Sequence, residues 1–550
     1  VFAAANERFT RKKGDSGFPH AALDEALRYG GIGLDDVDRV VMANRTHFVY
    51  RLMKWRFEDY QHDFFNLKQK VYLKYHDLMC AASPVAPGVG ALNRLVLTAQ
   101  ERVGFELCDH HEAHACGAIA TSGFDECLAV TVDNLGDGYA AKVHSYRGGE
   151  LEFLWGSRAS DSPGQFYGEI SQVLGFNPLR HAGKVTGLAA HGDPERAYAL
   201  MAQLFGLTGD GRGFWMMPSW QRWKRRGPCW RLGLFSAEDV AAAAQKRLED
   251  VVTAYVQRAV TDTGHTRLVL AGGVFSNVKL NLEVKRLRGV EAVHVHPAMS
   301  DEGLAYGAAA SYMLRRGELP TRALPHAYLG PEIPDEAVDA AVHDSSLAFS
   351  EEPAMARTVA GLLDRGHVIA RFDGRLEYGP RALGHRSILY RPDDPTVNEW
   401  LNHKLHRTEF MPFAPITRWE DADECYEEVE GAADTARFMT ICFPCKPTMR
   451  DRCGGVVHVD GTARPQLVCR EHSPFLHELL TEYREISGLP ALINTSFNMH
   501  EEPIVGSPQD AVTAHRAAGL DFLAIGRYLA HDPARPDLEE SLRDVRTRDQ

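Results

Sequence analysis

A chain of 550 residues is too long to close around one ordinary hydrophobic core, so two or more domains are expected. Its net charge of -13, spread widely, argues against a nucleic-acid partner, because non-specific affinity for nucleic acid comes mainly from cations meeting phosphates. With no apolar leader, no uninterrupted run of membrane-spanning length, and ten cysteines that read as reduced thiols, the sequence points to a soluble cytoplasmic protein that makes no membrane contact.

The opening run Val1-Phe2-Ala3-Ala4-Ala5 reads as a strand, followed by a basic turn from Asn6 to Lys13 and a helix with apolar positions Ala22, Leu23, Ala26 and Leu27. Residues 44 to 95 are rich in aromatics, among them Phe48, Trp55, Phe64 and Tyr75; they read as helices with a packed aromatic face or as a wall that binds an acceptor.

The stretch Asp109-His110-His111-Glu112-Ala113-His114 is the centre of the sequence. If Asp109 opens a helix through the Ala-rich run that follows, His110 and His114 project from one face a turn apart, which is metal-ligand spacing. The apolar strand Cys127 to Val132 then stops at Asp133, a carboxylate placed to complete three sides of a metal site. The alternative is two ordinary polar histidines on a half-buried helix.

Next, Gly183 to Gly192 is a Gly-flanked segment in which Lys184 offers a point charge for phosphate and Gly187 a close backbone approach. Residues 213 to 232 mix Trp215, Trp220, Trp223 and Trp230 with basic side chains and read as an exposed insertion, either a solvated loop or an acceptor-site lid. The strand Arg267 to Leu270 runs into Gly272, Gly273 and Asn277, a turn whose N–H groups can face a phosphate or nucleoside. A further strand, Val290 to Val295, leads to Ser300-Asp301-Glu302-Gly303. Asp301 lies just past a strand end, where open α/β sheets place ligand-binding groups, and is the candidate fourth metal ligand.

A Pro-containing linker, Leu319 to Pro331, opens a second domain with a helix near 355–365 and a strand from Val368 to Phe372. Glu377 to Ile388 then sets Arg381 and Arg386 among Gly379, Gly384 and Ser387, a pattern suited to a dense anion because guanidinium forks match phosphate oxygens. Lys404 and Arg407 precede the rigid turn Phe410 to Pro415, and Arg464 adds a cation in the loop His458 to Gln466. A last strand ends at Asn494, Ser496 and Asn498, whose amides and hydroxyl suit a carbamate or an adenine edge. Cys442, Cys445 and Cys453 lack a clear fourth zinc ligand and read as structural thiols.

In this order the first-domain motifs resemble the carbamoyltransferase family that includes nodulation-factor and antibiotic O-carbamoyltransferases. That family's first domain is similar to the actin-like ATPase-fold enzymes that transfer threonylcarbamoyl to tRNA. Glu377 to Ser387, Phe410 to Pro415, His458 to Gln466 and Asn494 to Ile504 resemble its YrdC-like carboxy-terminal domain. The resemblance implies an α/β chain: a two-lobed actin-like ATPase domain over 1–324, then a YrdC-like domain over 325–550.

It also implies Fe(II) or another divalent metal on His110, His114, Asp133 and Asp301, and ATP, with Mg(II), as cofactor. Carbamoyl phosphate and ATP would give carbamoyl-adenylate, with transfer to a hydroxyl of a small-molecule natural product. The implied catalytic set is His110, His114, Asp133, Arg381, Lys404 and Arg407; the implied cofactor set is Lys184, Gly187, Gly272, Gly273, Asn277, Gly379, Arg386, Ser387, Arg464, Asn494, Ser496 and Asn498. The family usually has an amino-terminal hairpin, with a His-Asp-Ala-Ser-like segment, before the strand that opens this chain. A homodimer is the default assembly. The rival readings are a tRNA threonylcarbamoyl transferase, disfavoured by the acidic balance, and a non-catalytic nucleotide-binding regulator.

Overall fold

The computed structural model describes residues 1–15, 19–43, 104–178, 180–224, 227–320, 322–407 and 413–548. It divides into two compact units: a first of Ile32–Leu324, and a second that joins Val1–Gly31 to Pro325–Gln550. Both are mixed α/β, as the resemblance implies. The aromatic run at 44–95 and the first half of the turn Phe410 to Pro415 lie outside the described residues.

The amino-terminal segment departs from expectation twice. Val1 to Ala5 is not a strand; the Ala3 N–H donates to the Leu329 carbonyl at 3.0 Å without the repeat of a ladder. The segment also belongs with residues of the second unit rather than the 1–324 domain. It carries the helices α1 (Glu7–Thr10) and α2 (His20–Gly30), and the reason for its placement is polar: Arg8 and Arg11 donate to carbonyls at Gly379, Pro503 and Ile504.

In the first unit, β1 (Arg39–Ala43) pairs in parallel with β2 (Gly104–Cys108). A separate five-stranded sheet comprises β3 (Glu126–Gly136), β4 (Tyr139–Arg147), β5 (Glu150–Arg158), β6 (Arg267–Ala271) and β7 (Ala292–Val295) in the order β5-β4-β3-β6-β7. Only β4 runs against its neighbours. The centre falls to β3 because Cys127 to Val132 is buried throughout, which only a strand covered on both faces tolerates. One face is covered by α6 (Ala237–Thr263), whose Leu248, Val252, Tyr255 and Val256 pack against Leu128 and Val130.

The other face carries α3 (His110–Ser122) and α8 (Leu304–Arg315). Asp109 caps α3 by accepting the Glu112 N–H at 3.0 Å, as its position before the Ala-rich run requires. Small residues let the two helices approach closely: a Cβ on Gly307 would lie 2.0 Å from the Ala113 carbonyl oxygen.

The Trp-rich stretch is docked rather than a loose insertion. Phe214–Met216 pairs with Phe205–Leu207, and buried Arg222 forms a two-pronged ion pair with Glu169, while Trp223 and Trp230 remain exposed. The segment from Gly183 is helical, α5 (Ala182–Ala189), so it does not form a glycine loop.

The second unit is built on eight strands: β8 (Ala348–Glu351), β9 (Ile369–Phe372), β10 (Arg386–Tyr390), β11 (Ala414–Arg418), β12 (Gln466–Val468), β13 (Ala491–Ser496), β14 (Phe522–Ile525) and β15 (Tyr528–His531). Their order is β8-β15-β14-β9-β10-β13-β11-β12, with parallel pairing at β9/β14 and β11/β12. Cys442, Cys445 and Cys453 are buried free thiols here. No helix among the described residues is long and apolar enough to cross a membrane.

The contact between α3 and α8 makes one stability prediction. Gly307→Ala forces a methyl into the Ala113 carbonyl and should cost about 1–3 kcal/mol, the usual range for overpacking. Urea denaturation of the variant should show a lower midpoint with an unchanged slope; an unchanged midpoint would refute the close helix contact.

Candidate metal centre and anion-binding turn

The four residues His110, His114, Asp133 and Asp301 converge, with one ligand atom from each lying within 4.8 Å of all the others. Both imidazole Nε2 atoms are 3.1 Å from Asp133 Oδ2 and 3.7 Å from Asp301 Oδ1. These are separations that neighbouring donors about 2.1 Å from a shared ion would have. Two neutral nitrogens and two carboxylate oxygens suit a first-row divalent cation. The residues fit the implied metal.

The four residues come from three elements. The one-turn spacing on α3 brings the His110 and His114 rings together, and the His110 backbone N–H is fixed by Asp137 at 2.9 Å. Asp133 stands where the pairing of β3 with β4 shifts register between Val132 and Gly136, a bulge that turns the side chain toward α3. Its Oδ1 accepts N–H groups from Asn134 at 2.6 Å and Gly273 at 3.2 Å, leaving Oδ2 for the histidines. Asp301 lies in a short 3₁₀ turn and is the exposed member, with 68% of its side-chain surface open.

Electrostatics follows from this packing. Burial works against the charge on Asp133, but the hydrogen bonds from His110 and His114 outweigh it and hold its pKa well below the usual carboxylate range. Burial likewise opposes a protonated His114, yet bonds to Asp133 and Asp301 raise its pKa to about 9. His111, between the two ligands in sequence, faces elsewhere: its Nε2–H donates to the Tyr139 carbonyl at 3.1 Å and Nδ1 lies 2.8 Å from the Thr131 hydroxyl. Burial, then the neighbouring His110 and His114, keeps it neutral. Asp109, beyond capping, pairs with Lys142 at 2.8 Å.

Of the other first-unit residues, Gly272 and Gly273 form the turn after β6, and the Gly273 N–H reaches Asp133, so this turn is part of the metal site's frame. Asn277 caps α7 (Val278–Lys285) and joins a network in which it donates to Gln245 at 2.8 Å, and Tyr167 donates to the same Gln245 oxygen at 2.6 Å. Lys184 and Gly187 are buried on α5.

In the second unit, Glu377 organises the turn that the sequence singled out without naming it as a site residue. One buried carboxylate oxygen accepts the N–H groups of Leu383 (3.0 Å), His385 (2.9 Å) and Arg386 (3.0 Å). Arg386 is fully buried, donates to the carbonyls of Asp373, Gly374 and His385, and stacks 3.8 Å over Phe372. Ser387 accepts the Gly384 N–H at 2.8 Å, and Asn494 donates to Gln466 at 2.7 Å, which in turn donates to the Leu383 carbonyl at 2.8 Å. Arg371, absent from the sequence-based set, holds Gly384 O at 2.7 Å. These residues build the turn.

Arg381 and Arg464 are different. They are neighbours, and burial, then the charge of Arg381, lowers the pKa of Arg464 well below its ordinary range. No hydrogen-bond or ion-pair partner of Arg464 is found among the described residues. Two adjacent guanidiniums suit a multiply charged anion.

Arg407, Ser496 and Asn498 form a further cluster, with the guanidinium donating to the Ser496 carbonyl at 2.6 Å and to Asn498 Oδ1 at 2.9 Å. Lys404 lies 3.9 Å from Asp521. Gly379 accepts a bond from Arg8, a residue the sequence reading left in a basic turn.

Because His114 holds a proton up to about pH 9 in the metal-free cluster, a cation must displace it. Affinity for Zn(II) or Co(II) should therefore fall about tenfold per pH unit below that value, with about one proton released per ion. Calorimetry in two buffers of different ionisation enthalpy measures the proton count; pH-independent affinity would rule out His114 as a ligand.

Comparisons with known proteins identify the family. The family model described as carbamoyltransferase N-terminus matches residues 1–310, and that described as carbamoyltransferase C-terminus matches residues 360–532. Nodulation protein NolNO of Sinorhizobium fredii (strain NGR234) is 32% identical over 547 residues, covering 96% of this chain and 77% of that protein. Nodulation protein NolO of Bradyrhizobium diazoefficiens is 34% identical over 436 residues, covering 76% and 78%. Likeness to solved structures is slight: HypF of T. kodakarensis is 14% identical with a TM-score of 0.28, covering 43% of this chain and 41% of that one. With both halves of the family's pattern matched along one polypeptide, the chain belongs to the carbamoyltransferase family and is a carbamoyltransferase enzyme.

Proposed function

We propose that this carbamoyltransferase is ATP-dependent and carries the carbamoyl group to a hydroxyl of a small-molecule natural product, using a different residue set for each of two steps. The observation that carries this reading is the contrast between the sets: adjacent Arg381 and Arg464 in the second unit, and a nitrogen–carboxylate cluster in the first. Adjacent cations suit the making of an anhydride from anionic reactants. A metal-binding cluster suits its use on a neutral alcohol.

In the first step water bonds to the phosphorus of carbamoyl phosphate, the bond from that phosphorus to the carbamate oxygen breaks, and phosphate leaves. The carbamate oxygen then attacks the α-phosphorus of ATP, and the bond to the β-phosphate oxygen breaks to release pyrophosphate. Arg381 and Arg464 offset the repulsion between the reacting anions, an electrostatic role worth most where water is excluded. Glu377, Arg371, Arg386, Ser387 and Asn494 hold the turn that presents Arg381. Arg407 secures the strand end at Ser496 and Asn498. In the second step the acceptor oxygen bonds to the carbamoyl carbon, AMP leaves with the bonding pair, and the hydroxyl gives up its proton.

His110, His114, Asp133 and Asp301 would hold the divalent metal, Fe(II) in this reading. When bound, it supplies Lewis acidity that eases loss of the hydroxyl proton or polarises the carbonyl. Lys184, Gly187, Gly272, Gly273 and Asn277 are assigned to the nucleotide end of the mixed anhydride. The acceptor class is assigned from the family alone.

Full-length protein given carbamoyl phosphate, ATP and divalent metal should form AMP and pyrophosphate above a no-enzyme control. His114→Ala should lose transfer by about 100-fold or more while pyrophosphate release persists, and Arg464→Gln should suppress pyrophosphate release by a similar factor. Transfer is read by mass spectrometry as one carbamoyl addition across a panel of hydroxylated acceptors. Equal loss of both activities in each variant, with the fold intact, would refute the division of labour.

A further inference from the structure

The segment from Asn6 to Asp15 is tied into the second unit at two loops. Arg8 is 3% exposed, and its guanidinium donates to the Gly379 carbonyl at 2.9 Å. Its own carbonyl presses on the other loop, where a Cβ on Gly506 would come within 2.2 Å of it. Arg11 binds the same loop through the carbonyls of Ile504 at 2.6 Å and Pro503 at 3.0 Å, and lies 3.5 Å from Asp510. Asp510 in turn accepts the Gly506 and Ser507 N–H groups at 3.1 and 3.0 Å. Within the segment, Asn6 and Thr10 both donate to Asp15, at 2.9 and 2.8 Å, which gives it a shape of its own.

Gly379 stands two residues before Arg381, and Pro380 between them has no N–H with which to brace the turn. The Gly379 backbone has φ of +100°, a conformation with many neighbours available to it unless its carbonyl is held. Arg8 holds it. Burying this guanidinium beside Arg371 and Arg386 is unfavourable: burial lowers Arg386 to about 10, and the charges of Arg371 and Arg8 add to that effect against Glu377 and Asp373. An arginine retained in such company is there for where its N–H groups point.

We propose that Arg8 is a positioning residue of the anion site: by gripping the Gly379 carbonyl, with Arg11 anchoring the segment at the 503–506 loop, it sets the direction of Arg381 toward Arg464. The inference rests on the reading of Arg381 and Arg464 as the anion-binding pair. It gives the amino-terminal segment, which the family model places with the first half of the chain, a task in the chemistry of the second.

The test uses the full chain with Arg8→Ala, Arg8→Lys and, as a control on the underlying reading, Arg464→Gln. The readout is pyrophosphate release dependent on carbamoyl phosphate, with far-UV circular dichroism and urea midpoints taken alongside. Misplacing a reacting group by about 1 Å costs up to about 100-fold. Arg8→Ala should lower kcat/KM by tenfold or more, and Arg8→Lys, whose ammonium can still reach the Gly379 carbonyl, should recover to within about fivefold of the parent. If Arg8→Ala matches the parent while Arg464→Gln is inactive, the positioning role is overturned and the anion site stands. If Arg8→Lys is as impaired as Arg8→Ala, the bond to Gly379 is not what matters and the proposal fails. If Arg464→Gln is fully active, the anion site itself is wrong and the inference falls with it.

Discussion

The first unit depends on one buried carboxylate. Asp133 lies at the end of the central strand, where burial alone would protonate it, and stays ionised because two N–H groups and two imidazoles converge on it. These partners come from three pieces of chain, so forming the site requires β3, α3 and the turn after β6 to be in place together. The small residues along α3 and α8 serve the same end, since wider helices would push His110 and His114 away from the strand end. Packing and ligand geometry are one constraint here.

The second unit faces the opposite electrostatic problem. Arg8, Arg371 and Arg386 are buried near one turn, with Glu377 buried beside them. Guanidinium tolerates this because its charge is spread and its donors can be met by carbonyl oxygens. Arg386 does so with three carbonyls and the face of Phe372. The turn is thus fixed from two sides, by the Glu377 carboxylate on its N–H groups and by arginines on its carbonyls, and it carries Arg381 beside Arg464.

The convergence of His110, His114, Asp133 and Asp301 was legible because its determinants are local: His110 and His114 are a helical turn apart, and Asp133 and Asp301 each follow an apolar strand that announces itself by composition. The mixed α/β character was legible for the same reason. What could not be read is any feature set by contacts between distant segments. Arg8 and Gly379 are 371 positions apart, and Arg8 offers no local sign of its target; a buried arginine and an exposed one have the same letter. Val1 to Ala5 has the composition of a strand but has no partner strand among the described residues, and pairing is non-local. Among the arginines of the Glu377 to Ser387 motif, sequence marks all as anion binders, whereas the fold uses Arg386 as scaffold.

The glycines show the same limit from another side. Gly272 reads in sequence as a place where a ligand comes close, and it is indeed forced: its φ is +101° and a Cβ would sit 2.2 Å from the Val132 carbonyl oxygen. The close neighbour is the protein's own strand. That approach aims the next N–H, from Gly273, at Asp133, so the glycine pair acts on the metal ligand whatever else it meets. A glycine pair after a strand therefore shows that backbone must come near something, and only the fold says what. Here the demand comes from the carboxylate, which would otherwise sit in a buried site with too few donors to remain charged.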